Sequence, residues 1–257
     1  MQIEIETFNL FLWAMIALAT IVFVALFFVN AGYGIFRSTK WGRSIPNKVG
    51  WVIMEAPVSV LIFLFWWFSD RSFMVVPFVF FLFLQIHYVR RAFIFPFLMR
   101  GKSRMPVGIM FMGITFNILN TFTQGYWIFY LSPQNLYVNS WLLTPQFIIG
   151  SILFFVGFFV NVNSDRRIRN LRQAGDSKHY LPHGGMFEYV TSANYFGELV
   201  EWTGFAIATW SVAGWVFVIW SFANLVPRAN AIYCQYQKEF AEKMQGKNLK
   251  RIFPFLY

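Results

Sequence analysis

Several ionisable side chains of this sequence stand inside long apolar segments. Glu55 interrupts one such segment, and Tyr88, Arg91 and Phe95 recur at i, i+3 and i+7 in another. Residues at this spacing share one face of a helix. An ionisable group inside a membrane is costly unless it faces a cavity or a partner, so each is a candidate functional residue. A phenol and a protonated carboxyl group can both donate hydrogen bonds to a ligand.

Two further polar stripes together combine amides with charges of both signs. Each stripe lies along one helix face at the cytoplasmic end of a predicted membrane span. This combination suits a polar ligand that carries phosphate groups, and structural ion pairing is the alternative interpretation. The first stripe consists of Asn161, Asp165, Arg169 and Arg172, and the second consists of Asn194, Glu198 and Glu201.

The other polar motifs are less specific. Asn117, Asn120 and Gln124 share a face of another predicted helix, where they either join helices through hydrogen bonds or line a site. His179 and His183 have no further His or Cys nearby, so we expect no metal site. No phosphate-binding loop or GxGxxG motif occurs, so a bound nucleotide is not held by a Rossmann unit.

The composition explains where these residues must lie. The chain has 257 residues, of which 58% are hydrophobic and only 12% are charged, and these values exclude an ordinary soluble domain. The formal net charge of +10 comes from basic residues between and after apolar runs. That distribution indicates a cytoplasmic membrane face rather than nucleic-acid binding. Cys234 is the only cysteine, so the chain has no disulfide framework.

Hydropathy and turn residues predict an all-α membrane protein with about seven transmembrane helices. Basic residues in alternate loops and in the tail place the amino terminus outside and the carboxy terminus in the cytoplasm. The amino terminus lacks the basic region and cleavage site of a signal peptide, so we expect the first span to be retained. The predicted spans are 8–30, 49–69, 72–98, 106–131, 142–162, 194–210 and 212–230.

Motifs in the second half of the chain are long and specific, and shorter ones precede them. The long motifs are Asn161-Val-Asn-Ser-Asp165 with Arg169 and Arg172, Leu181-Pro-His-Gly-Gly185, Ser192-Ala-Asn194-Tyr-Phe-Gly-Glu198 and Glu201-Trp202. The shorter motifs are Glu55 with Pro57 and His87-Tyr88 with Arg91. On these motifs the chain, from about residue 50 onwards, resembles the steroid 5α-reductase family. Its carboxy-terminal part is similar, more loosely, to polyprenol reductases, membrane enoyl-CoA reductases and some membrane methyltransferases.

The resemblance implies an NADPH-dependent enzyme that reduces the Δ4 double bond of 3-oxo steroids to 5α products. Glu55 and Tyr88 are then expected to hydrogen-bond the 3-oxo group, on whose oxygen hydride addition builds negative charge. The residues expected to contact the steroid are Trp51, Met54, Asn120 and Phe122. The residues expected around the cofactor are Arg91, Lys102, Asn161, Asp165, Arg169, Arg172, Asn194, Glu198, Trp202, Arg228 and Tyr236.

We expect a single membrane domain with three parts. The first span and a basic loop occupy 1–48, the spans that line the substrate cavity occupy 49–162, and the cofactor-binding part occupies 163–257. An enoyl-CoA or polyprenol reductase with the same cofactor end is one alternative. A transporter is another, although the chain has no inverted repeat. We expect a monomer in a bacterial inner membrane or the endoplasmic reticulum that contacts membrane lipids and binds no nucleic acid.

Overall fold

The structure is a computed structural model that describes residues 4–29, 32, 34–36, 38–173, 175–176 and 178–257. Helices dominate it, because a helix satisfies the backbone groups of an apolar segment internally. Two π-helical segments, Arg90–Ile94 and Trp127–Leu131, follow α3 and α5. The α-helices are α1 (Ile5–Phe28), α2 (Asn47–Trp67), α3 (Val75–Val89), α4 (Phe95–Leu98), α5 (Val107–Tyr126), α6 (Pro145–Asn170), α7 (Ala193–Thr209), α8 (Val212–Glu239) and α9 (Ala241–Met244).

Every predicted span coincides with a long helical segment, and the largest differences lie at the ends of α6 and α8. Helix α6 runs to Asn170 rather than to 162, and α8 runs to Glu239 rather than to 230. Neither extension contains Gly or Pro, so the helix continues after the apolar segment has ended. The polar stripe of α6 therefore reaches Arg169 on a continuous helix.

Five helical segments among the described residues are long and apolar enough to cross a membrane. Helices α5 and α7 differ from them, because α7 has only 17 residues and carries two glutamates, and the amides of α5 lower its mean hydropathy. The prediction of a mainly helical membrane protein is confirmed, whereas the number of seven crossings is not. Residue 30, the predicted end of the first span, lies outside the described residues. The five segments are Ile5–Phe28, Asn47–Trp67, Val75–Leu98, Pro145–Asn170 and Val212–Glu239.

Glycines let α6 and α7 approach each other closely. Gly150 and Gly157 of α6 face Gly204 and Gly197 of α7 across the interface. A Cβ atom on Gly157 would lie 2.2 Å from the backbone nitrogen of Glu201, so no larger side chain fits there. This close contact brings the polar stripes of the two helices together.

Gly157→Val is expected to destabilise the protein, because the added side chain would overlap the backbone of α7. Overpacking costs about 1–3 kcal/mol even where the neighbours are side chains that can move. The melting temperature should fall by several degrees relative to Val156→Leu, a change at the adjacent position, whose side chain is 50% exposed. Equal melting temperatures for the two variants would contradict a tight α6–α7 interface.

Helix α1 packs mainly along α8. Near its amino-terminal end, Phe8 and Phe11 also contact Phe122 of α5, with ring centroids 6.1 and 5.2 Å apart. These aromatic rings close the bundle between α1 and α5 at that end. Further along α1, residues of both helices line the cavity described below.

A short antiparallel ladder joins two loops at the other end of the bundle. Strand β1 (Ser44–Pro46) pairs with β2 (Arg104–Pro106). The backbone nitrogen of Asn47 extends the ladder by donating to the backbone oxygen of Ser103 over 3.1 Å. Backbone hydrogen bonds therefore hold the loop that contains Lys102 next to the start of α2.

Candidate active site

One large cavity runs through the helix bundle. Its volume is about 990 Å³, at the upper end of the range for ligand sites in proteins. Leu18, Phe111 and Met112 line this cavity although they are 43%, 59% and 57% exposed. The cavity therefore opens onto the outer, apolar surface of the bundle between α1 and α5.

Two buried hydrogen-bonding groups reach the apolar half of the cavity. Glu55 of α2 and Tyr88 of α3 are both buried, and both line it. The side-chain nitrogen of Asn117 donates to Glu55 Oε2 over 3.1 Å and to the backbone oxygen of Met54 over 2.8 Å. The side-chain nitrogen of Asn120 donates to the Tyr88 hydroxyl oxygen over 3.3 Å. Amides of α5 thus orient both groups and leave the Tyr88 proton available for a ligand.

The amide stripe of α5 divides between two roles. Asn117 lines the cavity, and Asn120 stands behind Tyr88. Gln124 donates instead to the backbone oxygen of Ala213 over 2.8 Å and joins α5 to α8. The Asn117 end of this stripe therefore lines the site, and the Gln124 end joins helices through a hydrogen bond.

Asp165 of α6 meets two consecutive arginines. Arg90 Nη2 donates to Asp165 Oδ2 over 2.9 Å, and Arg91 Nη1 lies 3.7 Å from the same oxygen. The Arg91 guanidinium also stands 4.3 Å from the centroid of a Trp51 ring. A π-helical turn begins at Arg90 and changes the angular spacing of the side chains. Arg90 is absent from the predicted site, because adjacent residues of a regular α-helix point about 100° apart.

Four cations line the opposite half of the cavity, which we call the basic end. They have no carboxylate within salt-bridge distance among the described residues. Hydrogen bonds to backbone oxygens join their loops, since Gly175 N donates to Arg100 O over 2.9 Å and the Arg100 side-chain atom Nη1 donates to Arg172 O over 3.3 Å. A group of cations without such a salt bridge suits an anionic ligand. The four residues are Arg100, Lys102, Arg169 and Arg172.

His179 lies beside Arg172 at the basic end. The distance between Arg172 Nη2 and His179 Nδ1 is 3.1 Å. Burial and the Arg172 guanidinium lower the pKa of His179. The neutral imidazole can then accept a hydrogen bond from Arg172 and orient it. In the part of the chain that the structure describes, no three His, Cys, Asp or Glu side chains are grouped to hold a metal.

The other predicted cofactor residues come from α7 and α8. Asn194, Glu198, Arg228 and Tyr236 all line the cavity. Arg228 Nε donates to the hydroxyl oxygen of Tyr195 over 2.6 Å, so Tyr195 fixes the guanidinium group. No feature of the sequence distinguishes Tyr195 from its neighbours on α7, and only the fold assigns it this role.

Three predicted site residues lie one layer behind the cavity wall. The side-chain nitrogen of Asn161 donates to the backbone oxygen of Asn194 over 3.0 Å. Trp202 is fully buried and stacks on Tyr88, with ring centroids 5.8 Å apart. Asn120 contacts the Tyr88 hydroxyl, as described above. These three residues support side chains that line the cavity and do not line it themselves.

Phe122 was predicted to contact the steroid and Glu201 to belong to a stripe that binds a phosphate-bearing ligand, but neither side chain lines the cavity. Phe122 contacts Phe11 of α1 rather than the cavity, because it follows Asn117 by five residues and points to another face of α5. Glu201 belongs to the predicted phosphate-binding stripe, but its Oε1 atom lies 2.7 Å from His87 Nδ1 in a buried pair. The position of Phe122 gives it no contact with a ligand in this cavity.

Comparison with known proteins identifies the family. A family model described as 3-oxo-5-alpha-steroid 4-dehydrogenase matches residues 103–257. The chain is also 35% identical over 255 residues to 3-oxo-5-alpha-steroid 4-dehydrogenase 1 of Bos taurus, and the match covers 93% of each chain. The chain belongs to the 3-oxo-5-alpha-steroid 4-dehydrogenase family.

Other members of the 3-oxo-5-alpha-steroid 4-dehydrogenase family are similarly close. Steroid 5-alpha-reductase DET2 of Gossypium hirsutum is 35% identical over 252 residues, covering 94% of this chain and 93% of the relative. 3-oxo-5-alpha-steroid 4-dehydrogenase 1 of Homo sapiens is 37% identical over 231 residues, covering 89% and 87%. The predicted family is thus confirmed, and the chain is an oxidoreductase. Glu55 and Tyr88 precede the segment that the family model matches.

Proposed function

We propose that this protein reduces the Δ4 double bond of 3-oxo steroids to 5α products, with NADPH as the hydride donor. One observation carries the proposal: a single cavity joins the Glu55 and Tyr88 pair to the four cations of the basic end. A carbonyl group on an apolar molecule suits the first half of this cavity, and the phosphates of a dinucleotide suit the second. The names of the relatives, which describe steroid reduction, support the same activity.

The residues at the basic end fit NADPH. Its pyrophosphate and 2′-phosphate require several cations. Lys102, Arg169 and Arg172 of the basic end would hold them together with Arg228 of α8. Gly101 lets the loops that carry Lys102 and Arg172 approach each other, since a Cβ atom there would lie only 3.2 Å from the backbone oxygen of Asp176. Bound NADPH supplies the hydride, and the protein holds and orients the two reactants.

Glu55 and Tyr88 would act on the 3-oxo group. Reduction at the far carbon of an enone builds negative charge on the carbonyl oxygen, and donors aimed at that oxygen lower the barrier. Asn120 donates a hydrogen bond to the Tyr88 hydroxyl oxygen, so the hydroxyl proton remains available for the substrate. Asn117 donates to Glu55 Oε2, so the other carboxyl oxygen of protonated Glu55 can donate to the substrate.

An apolar wall beside Glu55 would hold the steroid nucleus. Trp51, Met54 and Met105 pack together in this wall and line the cavity. Methionine side chains adapt to the shape of an apolar ligand. The opening between α1 and α5 would admit a lipid from the membrane, because apolar side chains such as Phe111 form its rim.

Substrate comparison tests the proposal. The purified protein is supplied with NADPH and with a 3-oxo-Δ4 steroid, an enoyl thioester or a polyprenol. We expect NADPH oxidation with the steroid, accompanied by the 5α product in chromatography. Faster oxidation with the thioester or polyprenol would assign the chain to the alternative reductases. If none of the three is reduced, the proposed chemistry is wrong and a transport role is favoured.

We further propose a monomer with seven crossings, an outside amino terminus and a cytoplasmic carboxy terminus. The basic end of the cavity supports this orientation, because NADPH is supplied from the cytoplasm and basic loops favour that side. Helices α5 and α7 would cross with their polar faces buried against neighbouring helices. A reporter fused after Tyr257 should be active only on the cytoplasmic side, and an outside signal would contradict the orientation.

NADPH is expected to be preferred over NADH by at least about tenfold. The 2′-phosphate adds nearly two negative charges, and charge-assisted hydrogen bonds to it contribute about 1.5–3 kcal/mol each. Lys102 lines the basic end and is the proposed contact. The ratio of kcat/KM for the two cofactors should fall in Lys102→Ala and stay unchanged in Lys48→Ala, whose side chain is exposed outside the cavity. Equal use of both cofactors by the wild type would refute the preference.

A further inference from the structure

Three neutral polar side chains of α8 line the cavity beyond the Glu55 and Tyr88 pair. Asn224 follows Trp220 by four residues and Ser221 by three, so it neighbours both of them on the helix surface. Arg228 continues this face toward the basic end, one turn after Asn224. We call Trp220, Ser221 and Asn224 the α8 polar row.

The α8 polar row has unused hydrogen-bonding capacity. Trp220 Nε1 is buried and has no hydrogen-bond partner within the described part of the chain. Asn224 is exposed to the cavity, and neither its amide nor the Ser221 hydroxyl takes part in a hydrogen bond among the described residues. A buried donor without a partner is unfavourable, so native proteins rarely retain one without a reason. A ligand oxygen would satisfy these groups.

Apolar side chains beside the row favour an apolar ligand. Leu18 and Val22 of α1 and Phe116 of α5 line the same part of the cavity. The Phe116 and Trp220 rings are 4.9 Å apart between centroids. None of these residues carries a positive charge, in contrast to the basic end. A hydroxyl or carbonyl oxygen on an otherwise apolar molecule is therefore the matching chemistry.

The position of the row along α8 separates it from the proposed catalytic pair. Phe217, which starts the same helix face, packs 4.3 Å from Trp202 between ring centroids, and Trp202 stacks on Tyr88. Seven residues of helix, about 10 Å, lead from Phe217 to Asn224, the member of the row that lies farthest from Phe217. This separation suits a rigid fused-ring lipid whose two oxygen atoms lie at opposite ends.

We infer that the α8 polar row binds an oxygen substituent at the end of the substrate remote from its 3-oxo group. The inference rests on the proposed function and narrows its substrate class to 3-oxo lipids that carry a hydroxyl or oxo group at the far end. Lipids with only a hydrocarbon chain at that end are bound less tightly, because they leave the donors of the row unpaired.

Paired ligands and variants of the full-length protein in detergent test this inference. The ligands are a 3-oxo-Δ4 steroid with a hydroxyl group on the ring carbon farthest from the 3-oxo group and its analogue without that hydroxyl. Equilibrium binding and kcat/KM are measured for both. The wild type should prefer the hydroxylated steroid by about tenfold, and Asn224→Leu should remove most of that preference. Asn224→Gln keeps an amide and should retain part of it, and Ser221→Ala should show a smaller loss.

The ratio between the two ligands is an internal control, since a folding defect would reduce binding of both. An unchanged ratio in Asn224→Leu and Ser221→Ala would overturn the inference. A raised NADPH dissociation constant with an unchanged steroid ratio would also overturn it, because the row would then serve the cofactor. If the wild type binds the hydroxylated steroid preferentially and Asn224→Leu does not, but neither ligand is reduced, the proposed reaction fails while the binding inference stands.

Discussion

Glu55→Ala and Tyr88→Phe are each expected to lower kcat/KM for a 3-oxo-Δ4 steroid. The expected loss of transition-state stabilisation is about 2–4 kcal/mol for each variant. Both side chains line the same cavity, and an amide of α5 holds each of them. Each substitution removes one donor from the oxygen that gains negative charge. Glu55→Gln keeps an N–H donor and should lose less than Glu55→Ala. Initial rates at saturating NADPH and varied steroid concentration measure these effects.

Tyr130→Phe is the matched control for Tyr88→Phe. The Tyr130 hydroxyl donates to the backbone oxygen of Phe65 over 3.2 Å and lies outside the cavity lining. Its removal should leave kcat/KM at the wild-type value. Tyr88→Phe should also bind NADPH normally, because Tyr88 lies away from the basic end. Near-normal steroid reduction by both Glu55→Ala and Tyr88→Phe would remove the pair from the mechanism.

Arg172→Ala and Arg228→Ala are expected to weaken NADPH binding by about tenfold or more and to change the steroid KM little. A charge-assisted hydrogen bond to a phosphate contributes about 1.5–3 kcal/mol, which corresponds to this range of affinity. Both guanidinium groups line the cavity, and His179 and Tyr195 respectively contact them. Fluorescence titration with NADPH measures the dissociation constants directly.

Arg166→Ala is the control for these arginine variants. Arg166 belongs to the same helix as the polar stripe of α6, but its side chain is exposed outside the cavity. Melting temperatures must accompany the titrations, because Arg228 is buried and its loss can destabilise the fold. Arg172 is half-buried and gives the cleaner measurement. Wild-type NADPH affinity in both Arg172→Ala and Arg228→Ala would exclude these residues from the cofactor site.

The helices of the bundle could be predicted from the sequence because their signals are local. Apolar segments of sufficient length fold as helices in a membrane, and the uncharged runs of this chain are long. The motif from Asn161 to Trp202 was specific enough to predict the family that the comparisons confirm. Helical spacing also predicted which polar residues share a face, and most of those on α6 and α7 line the cavity.

The partner of each polar residue depended on the tertiary structure. Glu198 and Glu201 share a face of α7, yet Glu198 lines the cavity and Glu201 pairs with His87 of α3. Asn120 and Asn161 lie on the predicted faces but support cavity residues from behind.

The sequence by itself therefore determined the helices, their polar faces and the family of this protein. Only the tertiary structure decided that Arg90 joins Asp165, that Phe122 turns to α1, and that Asn224 enters the cavity. The physical reason is that helical periodicity orients a side chain relative to its own helix axis. Its neighbour is set by how closely helices pack, and residues as distant in the chain as Gly157 and Gly197 determine that packing.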